Sequence, residues 1–186
     1  MGGGRQLGRR AFDLRQSSRP RILDYSPMDE LTIARIVHLF GVVLWIGGVS
    51  FVTTVFLPAA RGVKPASLRM TLFHAIERRF VIQARVLTLV VGASGFYMLH
   101  VLDAWDRFGY AAHWWMHAMV GVWAVFTLML FVIEPFFLDR WLAARAQTAP
   151  EGTFRLISGL HWGLLILSLV TLVGAAAGAH GVLAFE

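Results

Sequence analysis

Charged side chains vanish from four long stretches of this chain: residues 36–60, 86–102, 108–133 and 156–185 contain no Asp, Glu, Lys or Arg. Three of them reach the roughly 20 residues that carry a helix across a hydrocarbon core. The second reaches that length only when Arg85 is taken into the helix. Apolar residues run all round these segments and do not form the one-sided stripe of a soluble bundle. The pattern predicts an all-α integral membrane protein, a bundle of four transmembrane helices in a lipid bilayer.

The polar positions set the expected boundaries. Residues 1–27 form an arginine-rich tail with Arg5, Arg9, Arg10, Arg15, Arg19 and Arg21. No signal-peptide core with a cleavage site follows, so the tail is read as retained, lying on anionic headgroups, docked on a partner or loosely held by charge. The bundle is expected over 28–181, with a short tail over 182–186. Its first helix starts near Ser26-Pro27, has Asp29 and Glu30 in the favourable first turn, and runs to about Pro58. The second begins as early as Ala66 and reaches Leu102, longer than a bilayer requires. The third ends near Glu134-Pro135, and 136–147 read as an interfacial stretch. The fourth covers about 153–176, where the small residues of GAAAGAHG (174–181) allow either close packing or fraying.

Composition agrees. The chain is 57% hydrophobic and 15% charged, against roughly a quarter charged in a soluble domain. Absence of cysteine excludes disulfides, thiolate metal sites, Fe–S clusters and covalent haem attachment. No nucleotide-binding glycine motif occurs. The formal charge of +6 reflects arginines at membrane edges and does not imply a nucleic-acid partner. The two links on the side away from the termini hold Arg61, Lys64, Arg69, Arg78, Arg79, Arg85, Arg140, Arg145 and Arg155, whereas the link between helices two and three holds only Arg107. The positive-inside rule then puts this multi-pass chain in a bacterial inner membrane with both termini periplasmic, although the arginine tail argues the other way.

Seven histidines in so apolar a chain require paired, wet or ligating surroundings. At 1.5 Å per residue from the centres of the charge-free runs, His38 lies about 15 Å, His113 about 11 Å, His100 about 9 Å and His117 about 5 Å toward the terminal side. His180 falls on that side too, and His74 and His161 on the other. Low-spin haem b takes two facing imidazoles, a flat apolar slot and cations for its propionates. His38, Gly41, Trp45 and Gly48 share one face of helix one, with Arg35 a turn outside. His38 with His117 is the first ligand pair; His100 is the nearest substitute and His113 a further one. A second constellation is His74 with His161, served by Arg78 or Arg85. One or two haem b groups are expected, two being the working number. Each feature also has a plainer explanation, because glycines permit close helix packing and histidines sit in interfacial water. Copper is the chemical alternative, through Met116, His117 and Met119. Glu134 is expected to pair with Arg140 or Arg155, or to carry a proton.

The segment HLFGVVLWIGGVSF (38–51), followed by Leu57-Pro58, with IERRF at 76–80 and WMH at 115–117, resembles the CopD-like membrane domain family. That family is related to HemJ-type protoporphyrinogen oxidases and to four-helix b-type cytochromes. The resemblance covers about residues 31–175. It implies a compact four-helix bundle, His38 as the first-helix haem ligand, and Arg79 as the arginine often found where helix two begins. His117 takes the place of the HemJ-type histidine, but Met119 stands where that pattern has a lysine, which weighs against porphyrinogen oxidation. His161 is an addition to the HemJ pattern. The expected function is electron transfer between a membrane donor such as quinol and another redox protein, alone, as a homodimer or within a larger complex. A copper-handling protein, a cofactor-free structural subunit and a HemJ-like oxidase are the alternatives. Whether the chain is itself an oxidoreductase stays open.

Overall fold

A computed structural model describes residues 27–180, and every described element is helical. Four helices are long and apolar enough to cross a membrane: α1 (Met28–Arg61), α2 (Ala66–Val101, whose apolar span is Ser67–Val101), α3 (Ala111–Leu138) and α5 (Pro150–Ala179). The short α4 (Asp139–Thr148) continues α3 without a break. Only 22–33% of each span's apolar window is buried inside the protein. The remaining surface, including Phe40, Val43, Phe51, Val86 and Val173, must meet lipid, because that much apolar area is not tolerated in water. The chain is an all-α, four-helix, multi-pass membrane protein.

Local chemistry explains the ends. Asp29 and Glu30 occupy the first turn of α1, where carboxylates oppose the helix dipole. Pro65, joined to Lys64 by a cis peptide, precedes the first turn of α2 in an extended conformation. At the other end of α2, Asp103 turns the chain with a φ of 46°, a left-handed geometry that Asp tolerates better than most residues. Pro150 stands at the first position of α5 and Glu151 in its first turn.

Two boundaries depart from the sequence expectation for one reason. Pro58 and Pro135 were expected to end helices one and three. Instead α1 passes through a π-helical stretch, Val52–Phe56, and goes on to Arg61. Helix α3 turns π-helical over Met129–Leu138, with Pro135 inside it. A proline ring collides with the carbonyl four residues back in an α-helix, and the wider π turn moves that carbonyl away. The hydroxyls of Thr53 and Thr54 help to satisfy this loosened backbone, donating to the carbonyls of Val49 and Ser50 at 2.7 and 2.8 Å. The stretch read as interfacial, 136–147, is helical and continues α3. Helix α5 likewise runs beyond 153–176 at both ends.

The core is layered along the bundle. In the middle, Trp45 and Val49 of α1 meet Val91 of α2, Val122 and Phe126 of α3, and Leu165 of α5. Toward the basic links, Leu57, Phe73, Leu142 and Phe154 form a second cluster. Glycines set the closest approaches. A Cβ on Gly92 would lie 2.5 Å from Trp123 Nε1, and one on Gly174 would lie 2.8 Å from the Trp114 ring. Gly178 seats Trp115 in the same manner, so the small residues at the end of α5 serve packing and the helix persists to Ala179.

Candidate functional site

His38 projects from α1 onto α2. Its Nδ1 lies 3.1 Å from the Val91 carbonyl and 3.1 Å from Ser94 Oγ. A carbonyl only accepts, so in the neutral ring Nδ1 carries the proton and Nε2 keeps its lone pair. Ser94 donates its own proton to the Val90 carbonyl at 2.7 Å, which frees its oxygen to accept. Gly95 makes the arrangement possible, because a Cβ there would come within 3.2 Å of the His38 ring. Neither Ser94 nor Gly95 was singled out from the sequence; each lies more than fifty residues from His38, and no local spacing links them.

The remaining terminal-side histidines do not gather round His38. His117 is exposed on α3 and lies edge-on to Phe108 with centroids 5.1 Å apart. No hydrogen bond or ring contact joins it to His38. His100 is exposed in the last turn of α2. His113 is half-buried between Tyr110 and Trp115, with its Nδ1 buried and unpartnered. His180 is exposed, its Nδ1 bonded to the Ala176 carbonyl at 2.7 Å.

The α1 face proposed as a porphyrin slot is filled by protein. Val91 stands 2.8 Å from the position of a Cβ on Gly41, and Phe80 stands 2.5 Å from one on Gly48. Trp45 is 5% exposed and meets Phe126 edge-to-face at 4.8 Å. These glycines and this tryptophan hold α1 against α2 and α3. The Trp45 Nε1 is buried without a partner. Nearby Met116 is buried and His117 exposed, so the methionines and histidine weighed for copper face different surroundings.

On the basic side the structure gathers two imidazoles about one ring. Phe73, 1% exposed, lies 5.6 Å from the ring of His74 on α2 and 6.2 Å from that of His161 on α5, both edge-on. His161 donates Nδ1–H to the Ile157 carbonyl at 2.9 Å. His74 Nδ1 faces Glu77 Oε2 at 3.3 Å. Each ring thus has one nitrogen held by an oxygen and the other unengaged, the arrangement typical of ligating histidines. Both are half-buried.

The arginines divide into committed and free. Arg85 forms an ion pair with Glu134 on α3, donates Nε–H to the Leu130 carbonyl at 2.9 Å and lies 5.8 Å from the Phe131 ring centre. Glu134 was expected to pair with Arg140 or Arg155; its partner across the bundle is Arg85. The pairing follows from Pro135. In a π-helix, the residue-135 N–H would bond to the carbonyl of residue 130, and proline has no N–H. The orphaned Leu130 carbonyl therefore accepts from Arg85. Arg69, which sequence spacing did not mark, is buried beneath Phe154 and pairs with Glu151 while also reaching the Arg61 carbonyl. Arg35, Arg78 and Arg79 are exposed and make no ion pair with a described residue. Among the described residues, no three His, Asp or Glu side chains converge as a metal site would require. Haem, needing two protein ligands, is not subject to that requirement.

Comparison of the chain with protein-family models, curated proteins and solved structures returns no match.

Proposed function

We propose that the protein is a membrane-embedded b-type cytochrome that carries electrons between a quinol-level membrane donor and another redox protein. The observation that carries this reading is the common setting of His38 and His161. Both sit in transmembrane helices with Nδ1 tied to a backbone carbonyl and Nε2 left as an oriented lone pair. Both rings are half-buried; an imidazole nitrogen that faces hydrocarbon without a partner is costly, and a ligand removes the cost. The donor set on the basic side suits haem: His161 and His74 supply Nε2, Ile157 and Glu77 orient the rings, and Phe73 excludes water. Arg78 is free to meet a propionate, whereas Arg85 is committed to Glu134. On the terminal side His38 is the proposed ligand, with His117 as partner and His100 as the substitute; because Val91 and Phe80 fill the α1 face, the porphyrin ring would lie off that face. Haem b supplies a one-electron ferric–ferrous couple when bound. The likeness of residues 38–51 to the CopD-like domain points the same way. The excess of cations in the links around α4 and between α1 and α2 supports an inner-membrane protein with those links cytoplasmic.

A reduced-minus-oxidised spectrum of the purified protein tests the proposal. The expected result is a b-type alpha band, with two haems per chain by pyridine extraction. His161→Ala is expected to leave one haem, and His38→Ala to remove the other. A protein with no haem by either measurement overturns the reading. The filled glycine faces of α1 would then favour the second reading, a cofactor-free subunit of a membrane complex.

A further inference from the structure

A groove of about 440 Å³ opens toward lipid between α1 and α2, away from the histidines. Val43, Leu44, Gly47 and Phe51 form one wall, and Arg79 and Gln83 lie on the other. Along α1 it extends from Val43 to Val52, nine residues or about 14 Å. That is half of a hydrocarbon core of about 30 Å, the depth of a single leaflet. Arg79 is 22 residues before the end of α2 at Val101, or about 33 Å along the helix; with Val101 at one membrane boundary, this length reaches the other, on the basic side. Gln83 follows one turn deeper on the same face, about 6 Å along the axis. Neither side chain has a hydrogen-bond or ion-pair partner among the described residues, and both are exposed. An amide placed in hydrocarbon without an acceptor or donor is costly.

We infer that this groove binds one anionic phospholipid of the leaflet on the basic side. Arg79 meets the phosphate, Gln83 meets an ester carbonyl one turn below it, and an acyl chain lies over Gly47 toward Val43. From Arg79 inward, charge, amide and apolar trough follow in the order of phosphate, ester and chain, with Ile76 and Val52 flanking the cation on its outer side. A neutral quinone would use the trough and leave the cation unmatched. Arg61, Lys64, Arg78 and Arg155 are exposed on the same side without carboxylate partners, and they favour anionic headgroups there. The inference is independent of haem, since no histidine lines the groove.

Gly47 offers a direct test, because nothing lies within 4 Å of a Cβ built on it. Gly47→Leu fills the trough without meeting the core. The protein is reconstituted in nanodiscs of mixed phosphatidylglycerol and phosphatidylcholine, released into mild detergent, and its retained lipids are counted by native mass spectrometry. Wild type is expected to retain one phosphatidylglycerol, preferred over phosphatidylcholine by about fivefold, the factor one interfacial cation supplies. Arg79→Gln should bring the preference below twofold, Gly47→Leu should abolish retention of either lipid, and Arg107→Gln, exposed on the opposite side, should change neither. Equal retention of both lipids by wild type, unchanged selectivity in Arg79→Gln, retention of quinone instead, or a dimer dispersed by Gly47→Leu each overturns the inference. Arg79→Gln alters an exposed side chain, so it decides the question even if Gly47→Leu does not fold.

Discussion

A guanidinium inside a bundle persists only when its donors find acceptors, and Arg85 finds its acceptors on α3. Removing one member of such a pair strands the other. The Arg85 side chain is 33% exposed, which discounts the cost for solvent and lipid-headgroup screening. Glu134→Gln should therefore destabilise the protein by about 1–3 kcal/mol, measured as a lower unfolding midpoint in detergent. The double variant Arg85→Met with Glu134→Leu should recover most of that loss, and a double variant no better than the single one would refute the pairing account. Residue identity was legible in the sequence; partnership was not. The sequence reading put Glu134 with Arg140 or Arg155 at the exit of the third helix, whereas the partner, Arg85, is 49 positions away. The holders of the His38 tautomer were hidden for the same reason, since Ser94 and Gly95 become neighbours only when α1 and α2 pack.

Helices were legible as apolar runs, but their interruptions were misread. Hydropathy carries no signal for the change from α to π bonding, so Pro58 and Pro135 looked like stops. Restoring the missing donor with Pro135→Ala gives the Leu130 carbonyl a backbone partner. Hydrogen exchange across 129–138 should then slow by about fivefold, the worth of one hydrogen bond; unchanged exchange would count against proline as the cause of the π stretch. Glycine roles separate by contact. Gly92→Ala drives a methyl group into Trp123 and should cost about 1–3 kcal/mol. Gly121→Ala and Gly159→Ala meet open space and should stay within about 0.5 kcal/mol of wild type. Thermal midpoints of the three variants in one detergent make the comparison, and equal losses would remove the packing argument.

For the molecule as a whole, the four-helix membrane architecture was readable from charge-free runs alone, because a bilayer imposes length and apolarity on every crossing. The histidine groupings were readable only in part. His74 and His161 each lie against Phe73, while His38 and His117 are not in contact. Orientation yields to a simple experiment, since the chain has no cysteine and any introduced thiol is unique. A membrane-impermeant maleimide applied to intact cells should label Arg107→Cys and spare Lys64→Cys; the reverse pattern would invert the proposed topology.

Helix α2 has 36 residues, a rod of about 54 Å. Even tilted by about 30° it spans some 47 Å, against roughly 30 Å of hydrocarbon. The surplus does not stand alone: Phe73 packs with Leu57, Leu142 and Phe154 and Arg69 ties it to α5, so the basic end of the bundle is one packed layer. A water-soluble partner can therefore meet a rigid, multi-helix surface at the headgroups on this side, without first having to insert into the membrane.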